Sequence, residues 1–94
     1  MLDTTIDDLK RELEGARAKF PESKHQMAAL TEEVGELAQA LLDHLYGKAT
    51  AAMVYREAIQ VAAMGIRVAE EGDTTFPYRF SEQCQLEFKP TTGN

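Results

Sequence analysis

Leu30-Thr31-Glu32-Glu33-Val34-Gly35-Glu36-Leu37 is the centre of a stretch, Met27 to Leu45, whose reading decides the fold. Met27, Leu30, Val34, Leu37, Leu41 and Leu45 recur at three- and four-residue intervals, so they fall along one stripe of a helix. At about 100° per residue, Glu33 sits roughly 60° from Leu30, and Glu36 a further 60° round. Both carboxylates therefore border the apolar stripe. A carboxylate in that position costs desolvation energy unless something neutralises it, and two of them point to a cation.

Working outward, Ser23 followed by Gln26 has the form of a capping box opening this helix, which is predicted to run to about Tyr46 with Gly47 at C′. Upstream, Asp3 and Thr4 are candidate N-caps of a first helix whose apolar edge is Ile6, Leu9, Leu13, Ala16 and Phe20. Pro21 stops that helix, because residues before proline avoid the α region. Downstream, a third helix is predicted from about Ala49 to Glu71, closed by Gly72 and Asp73. Its main stripe is Val54, Ala58, Val61, Gly65 and Val68, but Ile59, Ala62, Ala63 and Ile66 make the other side apolar too. A helix apolar on most of its circumference is buried on more than one face, which predicts a homo-oligomer with this helix at the interface. After Asp73 the helical pattern stops. Phe76, Tyr78, Phe80 and Phe88 are expected to pack on the bundle or a neighbouring subunit, and Gln85 to Phe88 to be a short extended piece. The expected architecture is all-α: a helical domain over residues 1–73, completed by homo-oligomerisation, and a mostly irregular tail over 74–94.

The totals bound the function. Ninety-four residues make one small domain, which an added subunit interface would help to stabilise. A formal net charge of −6, with no basic stripe, argues against a nucleic-acid partner but not against a nucleotide met through a divalent cation. The single cysteine, Cys84, excludes an internal disulfide framework and a CxxC knuckle. No apolar run is long enough for a membrane span and no signal-peptide pattern is present, so a cytoplasmic setting is expected.

On the third helix, Glu57 borders its stripe as Glu33 does on the second helix, and Gln60 follows one turn later as Glu36 does. Antiparallel contact between the two helices would bring Glu33, Glu36, Glu57 and Gln60 together. Three carboxylates and an amide oxygen are hard ligands, suited to Mg²⁺ or Mn²⁺ and poor for zinc or copper. Without a cation, such a cluster drives its own pKa values upward.

These residues resemble the MazG-like all-α nucleoside triphosphate pyrophosphohydrolases, whose pattern is EExxE followed some twenty residues later by ExxD. Glu32-Glu33-Val34-Gly35-Glu36, Glu57-Ala58-Ile59-Gln60 and the flanking Leu37-Ala38-Gln39-Ala40 carry the resemblance, which covers roughly residues 23–73. It implies an α-helical dimer or tetramer that cleaves a nucleoside triphosphate to the monophosphate and pyrophosphate with Mg²⁺. It also implies Glu33, Glu36 and Glu57 as metal ligands, Gln60 as ligand or neighbour, and Glu32 orienting a ligand or helping to deprotonate the water. Lys24, Lys48, Arg56, Arg67 and Arg79 are candidates for the phosphates, with Arg67 favoured because it falls on the side of Gln60. Gln60 departs from the family pattern, which has aspartate there. Two other readings compete. A di-iron bundle requires Glu-x-x-His, which this chain lacks. A non-catalytic nucleotide-binding or oligomerisation module is the stronger rival, and Gln60 favours it.

Overall fold

A computed structural model describes residues 1–22, 24–84 and 88–91. It is all-helical, with no strand among the described residues: α1 (Leu2–Lys19), α2 (Gln26–Leu45), α3 (Ala51–Glu71) and a short α4 (Phe80–Cys84). No helix among these residues is long and apolar enough to cross a membrane.

The layout has α3 in the middle. α2 returns along it through the turn at Gly47, whose φ of 73° suits a residue without Cβ. α1 packs on another side of α3 and makes no contact with α2. α3 starts at Thr50, whose hydroxyl accepts from the Met53 N–H (3.2 Å) as a conventional N-cap. Tyr55 ties the front of the layer, donating its hydroxyl to Asp8 Oδ2 (2.6 Å). α1 ends just before Pro21, as expected, but begins at Leu2 with Met1 as N-cap, ahead of Asp3 and Thr4.

Two expectations change. The stripe of α2 divides: Leu30 and Leu37 share with Gln26, Glu33 and Ala40 the edge packed toward α3, while Met27, Val34, Leu41 and Leu45 stay exposed. On α3 the most buried line is Ile59, Ala63 and Arg67, not the Val54–Val68 stripe, because α1 and α2 approach from two sides. α1, α2 and α4 of its own chain pack on α3, while Met53, Ala58 and Ala62 stay exposed. The tail is mostly irregular, as expected, with the short α4 packed on α3 and Phe76, Tyr78 and Phe80 in edge-on and tilted contact, Tyr78 and Phe80 ring centres 4.9 Å apart. Of the expected extended piece, residues 85–87 lie outside the described residues.

α2 is capped from outside. Ser23 lies outside the described residues, and Gln26 is the first residue of the helix rather than the third residue of a capping box. Asp73 Oδ1 accepts from the Met27 N–H (3.1 Å) and Thr74 Oγ1 from the His25 N–H (2.9 Å). Met27 N–H holds the Asp73 carboxyl below its usual range. Gly72 makes this possible. Its φ of 82° turns the chain back, and a Cβ there would lie 2.2 Å from the Phe76 carbonyl oxygen.

Only Ile59 and Ala63 are buried hydrophobic residues among those described. The chain exposes 7251 Å², against about 5,400 Å² for a compact monomer of this mass. Its radius of gyration of 14.8 Å likewise exceeds the roughly 12.4 Å of a compact domain.

Candidate metal centre

The antiparallel pairing of α2 and α3 brings four of the predicted site residues together. Glu33, Glu36 and Glu57 lie close enough to repel one another, Glu36 acting on both of the others. The Gln60 amide lies between two of them. With its NH₂ turned to the carboxylates, it donates to Glu57 Oε2 (3.0 Å) and Glu33 Oε2 (3.2 Å). Glu32 joins from the solvent side: oxygens of Glu32, Glu33 and Glu36 all lie within 4.8 Å of one another.

Electrostatics follow from that crowding. Partial burial, then Glu36, then Glu57 push the Glu33 carboxyl up to about 7. Glu57 is raised as well, by partial burial first and Glu36 next, with Arg56 opposing. Among the described residues no lysine or arginine forms an ion pair with Glu33, Glu36 or Glu57. The carboxylates close enough to share an ion are Glu32, Glu33 and Glu36, with Glu33 half-buried and the other two exposed. Such a set fits a hard divalent ion such as Mg²⁺ or Mn²⁺.

A cleft of about 900 Å³ opens beside the carboxylates, between α1 and α2 and floored by α3. Glu32, Glu33 and Gln60 line one part of it; Ala16, Ala63 and Met64 give it an apolar floor. The gap between α1 and α2 is what creates it.

The predicted cations fare differently. Arg67 shares the cleft with Gln60, but it is only 2% exposed and its guanidinium is engaged. It donates to Glu71 (2.9 Å) and to the carbonyls of Phe20 (2.6 Å) and Ala16 (3.4 Å), capping the C-terminal end of α1. Lys48 lies past the end of α2, whose last residue, Leu45, is already roughly 13 Å along the axis from Glu36. Arg79 pairs with Glu82 and donates to the Glu70 carbonyl. Arg56 is close enough to Glu57 to oppose its shift. Lys24 lines the cleft and pairs with Glu22 (3.2 Å) across an exposed surface. Lys19, at the end of α1, lines the cleft too. Sequence reasoning missed Lys19 because no spacing connects α1 to α2 when the two do not touch. His25 and His44 are exposed, His44 Nδ1 lying 2.8 Å from the Ala49 carbonyl oxygen, and Phe76, Tyr78 and Phe80 do not line the cleft.

Comparison with protein-family models, with curated proteins and with solved structures finds no match for this chain. The functional reading therefore rests on the residues and their geometry.

Proposed function

We propose that this chain is a Mg²⁺-dependent nucleoside triphosphate pyrophosphohydrolase that converts an NTP or dNTP to the monophosphate and pyrophosphate, working as a homodimer or homotetramer. The observation that carries the reading is the convergence of Glu33, Glu36 and Glu57 on one another, without a protein cation, beside an open cleft. Glu70 and Glu71, by contrast, have guanidinium partners. The motif pair on α2 and α3, which resembles the MazG-like pattern, supports the same assignment.

In this reading Glu33, Glu36 and Glu57 hold the ion, and Gln60 turns its amide oxygen inward as the neutral fourth ligand. When bound, the ion offsets charge on the triphosphate and lowers the pKa of a water. Glu32, exposed at the rim, orients a ligand or receives the proton of the attacking water. The water oxygen bonds to the α-phosphorus and the bridging oxygen leaves with pyrophosphate. Lys19 and Lys24 meet the phosphates at the cleft mouth. Arg67 shapes the cleft by holding α1, because its donors are already committed.

A second reading, a nucleotide-binding or oligomerisation module without turnover, is favoured by Gln60. Its amide bridges two carboxylates and so relieves the ion-free cluster without a metal. One experiment separates the two. Purified protein is incubated with a panel of nucleoside triphosphates and Mg²⁺, and pyrophosphate is measured. Release that disappears in Glu36→Gln supports the enzyme. Binding without release supports the module, and neither binding nor release rejects both.

A further inference from the structure

We infer that a second copy of this chain docks on the exposed seam of α2, helix against helix. Met27, Thr31, Val34, Ala38, Leu41 and Leu45 recur at alternating spacings of four and three residues. That alternation keeps one line of side chains turned toward a partner helix over more than two heptads. All six are exposed within the single chain, Met27 by 56%, Val34 by 48%, Leu41 by 52% and Leu45 by 72%. The chain does not use this line itself. α3 packs on the Leu30–Leu37 edge of α2, and α1 does not reach α2.

The chain exposes roughly 1,800 Å² more than a compact monomer of its mass, an excess spread over the whole chain of which a second copy on the seam would cover part. The seam's chemistry also suits a copy of itself. It carries no charge to select a foreign partner, and a repeat of one heptad phase meets its own symmetry mate in register. Thr31 adds no unmet donor on burial, because its hydroxyl already donates to the Met27 carbonyl (2.9 Å). Ala38 lets the two backbones approach.

The seam fixes where the clefts go. Glu33 and Glu36 lie about 120° and 180° round α2 from it at ~100° per residue. Pairing through the seam therefore leaves both acidic clefts open and on the outside of the dimer. The inference extends the self-association proposed above, and its test is independent of any turnover.

The test is sedimentation of the full chain across micromolar concentrations, with helicity followed in parallel. The wild type is expected to sediment as a dimer or larger. Val34→Glu combined with Leu41→Glu should raise the dimer dissociation constant by at least about a hundredfold, because two carboxylates would be buried unpaired at the contact. Helicity should persist, since both positions are exposed in the single chain. Should the double variant lose helicity, Val34→Ala with Leu41→Ala introduces no charge and should still weaken the dimer by about tenfold or more. Ala62→Glu, on the exposed side of α3, should leave it intact. A monomeric wild type overturns the inference. So does an assembly that survives the α2 substitutions and breaks with Ala62→Glu.

Discussion

α3 carries two acidic clusters that the fold treats in opposite ways. Toward its C-terminal end, Glu71 receives hydrogen bonds from Arg67 and from Arg17 Nε (2.8 Å), and Arg17 also pairs with Glu70. Burial pushes the Glu71 carboxyl up, but Arg67 and then Arg17 outweigh that and hold it below the usual range. Fourteen residues earlier, about 21 Å along the axis, Glu57 and its neighbours Glu33 and Glu36 form no ion pair; they have one another, Glu32, the Gln60 amide and the partial opposition of Arg56. Glu33 and Glu57 are pushed up. Residue type and partial burial are shared, so a guanidinium is the difference. At Glu70 and Glu71 arginines neutralise the carboxylates and tie α1 to α3. In the proposed function a divalent cation would do the same for the crowded cluster.

The largest way to break the comparison is to make the balanced cluster unbalanced. Arg67→Met removes the guanidinium from the Phe20 and Ala16 carbonyls at the end of α1 and leaves Glu71 with Arg17 and the Gln26 amide alone. The expected loss is about 2–3 kcal/mol, because carbonyls at the end of α1 lose their donor while Glu71 keeps Arg17. Urea unfolding followed by helicity measures it. An unchanged midpoint would show that α1 is held by something else.

A smaller effect comes from titrating the unbalanced cluster. The folded pKa of Glu33, about 7, lies above its ordinary 4.5, so the folded chain binds more protons between those values. Stability without divalent ions therefore falls as pH rises from about 4.5 to 7. Glu57 acts in the same direction. Glu71 and Asp73 are shifted downward, so their contributions are lost only as pH falls below the ordinary 4.5 and 3.8, outside this window. Discounted for the partial exposure of Glu33, the effect is about 1–2 kcal/mol. Thermal melts in a chelator should show a higher midpoint at pH 5 than at pH 7.5. Saturating Mg²⁺ or Glu33→Gln should flatten the difference. A midpoint that instead rises with pH would mean that the carboxylates are not crowded in solution.

Half of this contrast was legible in the sequence, and the reason is one of range. Periodicity along α2 and α3 reports which side chains share a helix edge, so the meeting of Glu33, Glu36, Glu57 and Gln60 followed from two local patterns and one antiparallel turn. Arg67 was read correctly as lying on the side of Gln60, but its partners are on α1 and on its own last turn. Nothing in the spacing shows that the Phe20 carbonyl comes back to meet it. The N-terminus of α2 was misread for the same cause. A capping box is a local signal, whereas the actual acceptors, Asp73 and Thr74, arrive from nearly fifty residues away through a turn that only Gly72 permits. The division of the α2 stripe was hidden too, since a pattern of apolar residues does not say how wide a face one neighbour covers.

The finest test sits on Gln60, the one residue that makes the unbalanced cluster tolerable without an ion. Its NH₂ donates to two carboxylates at once, so Gln60→Asp replaces two favourable contacts with a further anion. In chelator the variant should lose stability by less than about 1 kcal/mol, because the site is partly solvated and protonation of Glu33 absorbs part of the repulsion. With Mg²⁺ the sign reverses. A fourth carboxylate should tighten the ion by about tenfold, measured by calorimetric titration of Mg²⁺ alone. The paired signs carry the argument: destabilised when empty and tighter when filled is what a residue facing the ion produces. An aspartate pointing to solvent would move neither quantity, and one that weakened both would mean that the amide holds α2 and α3 together rather than serving a metal.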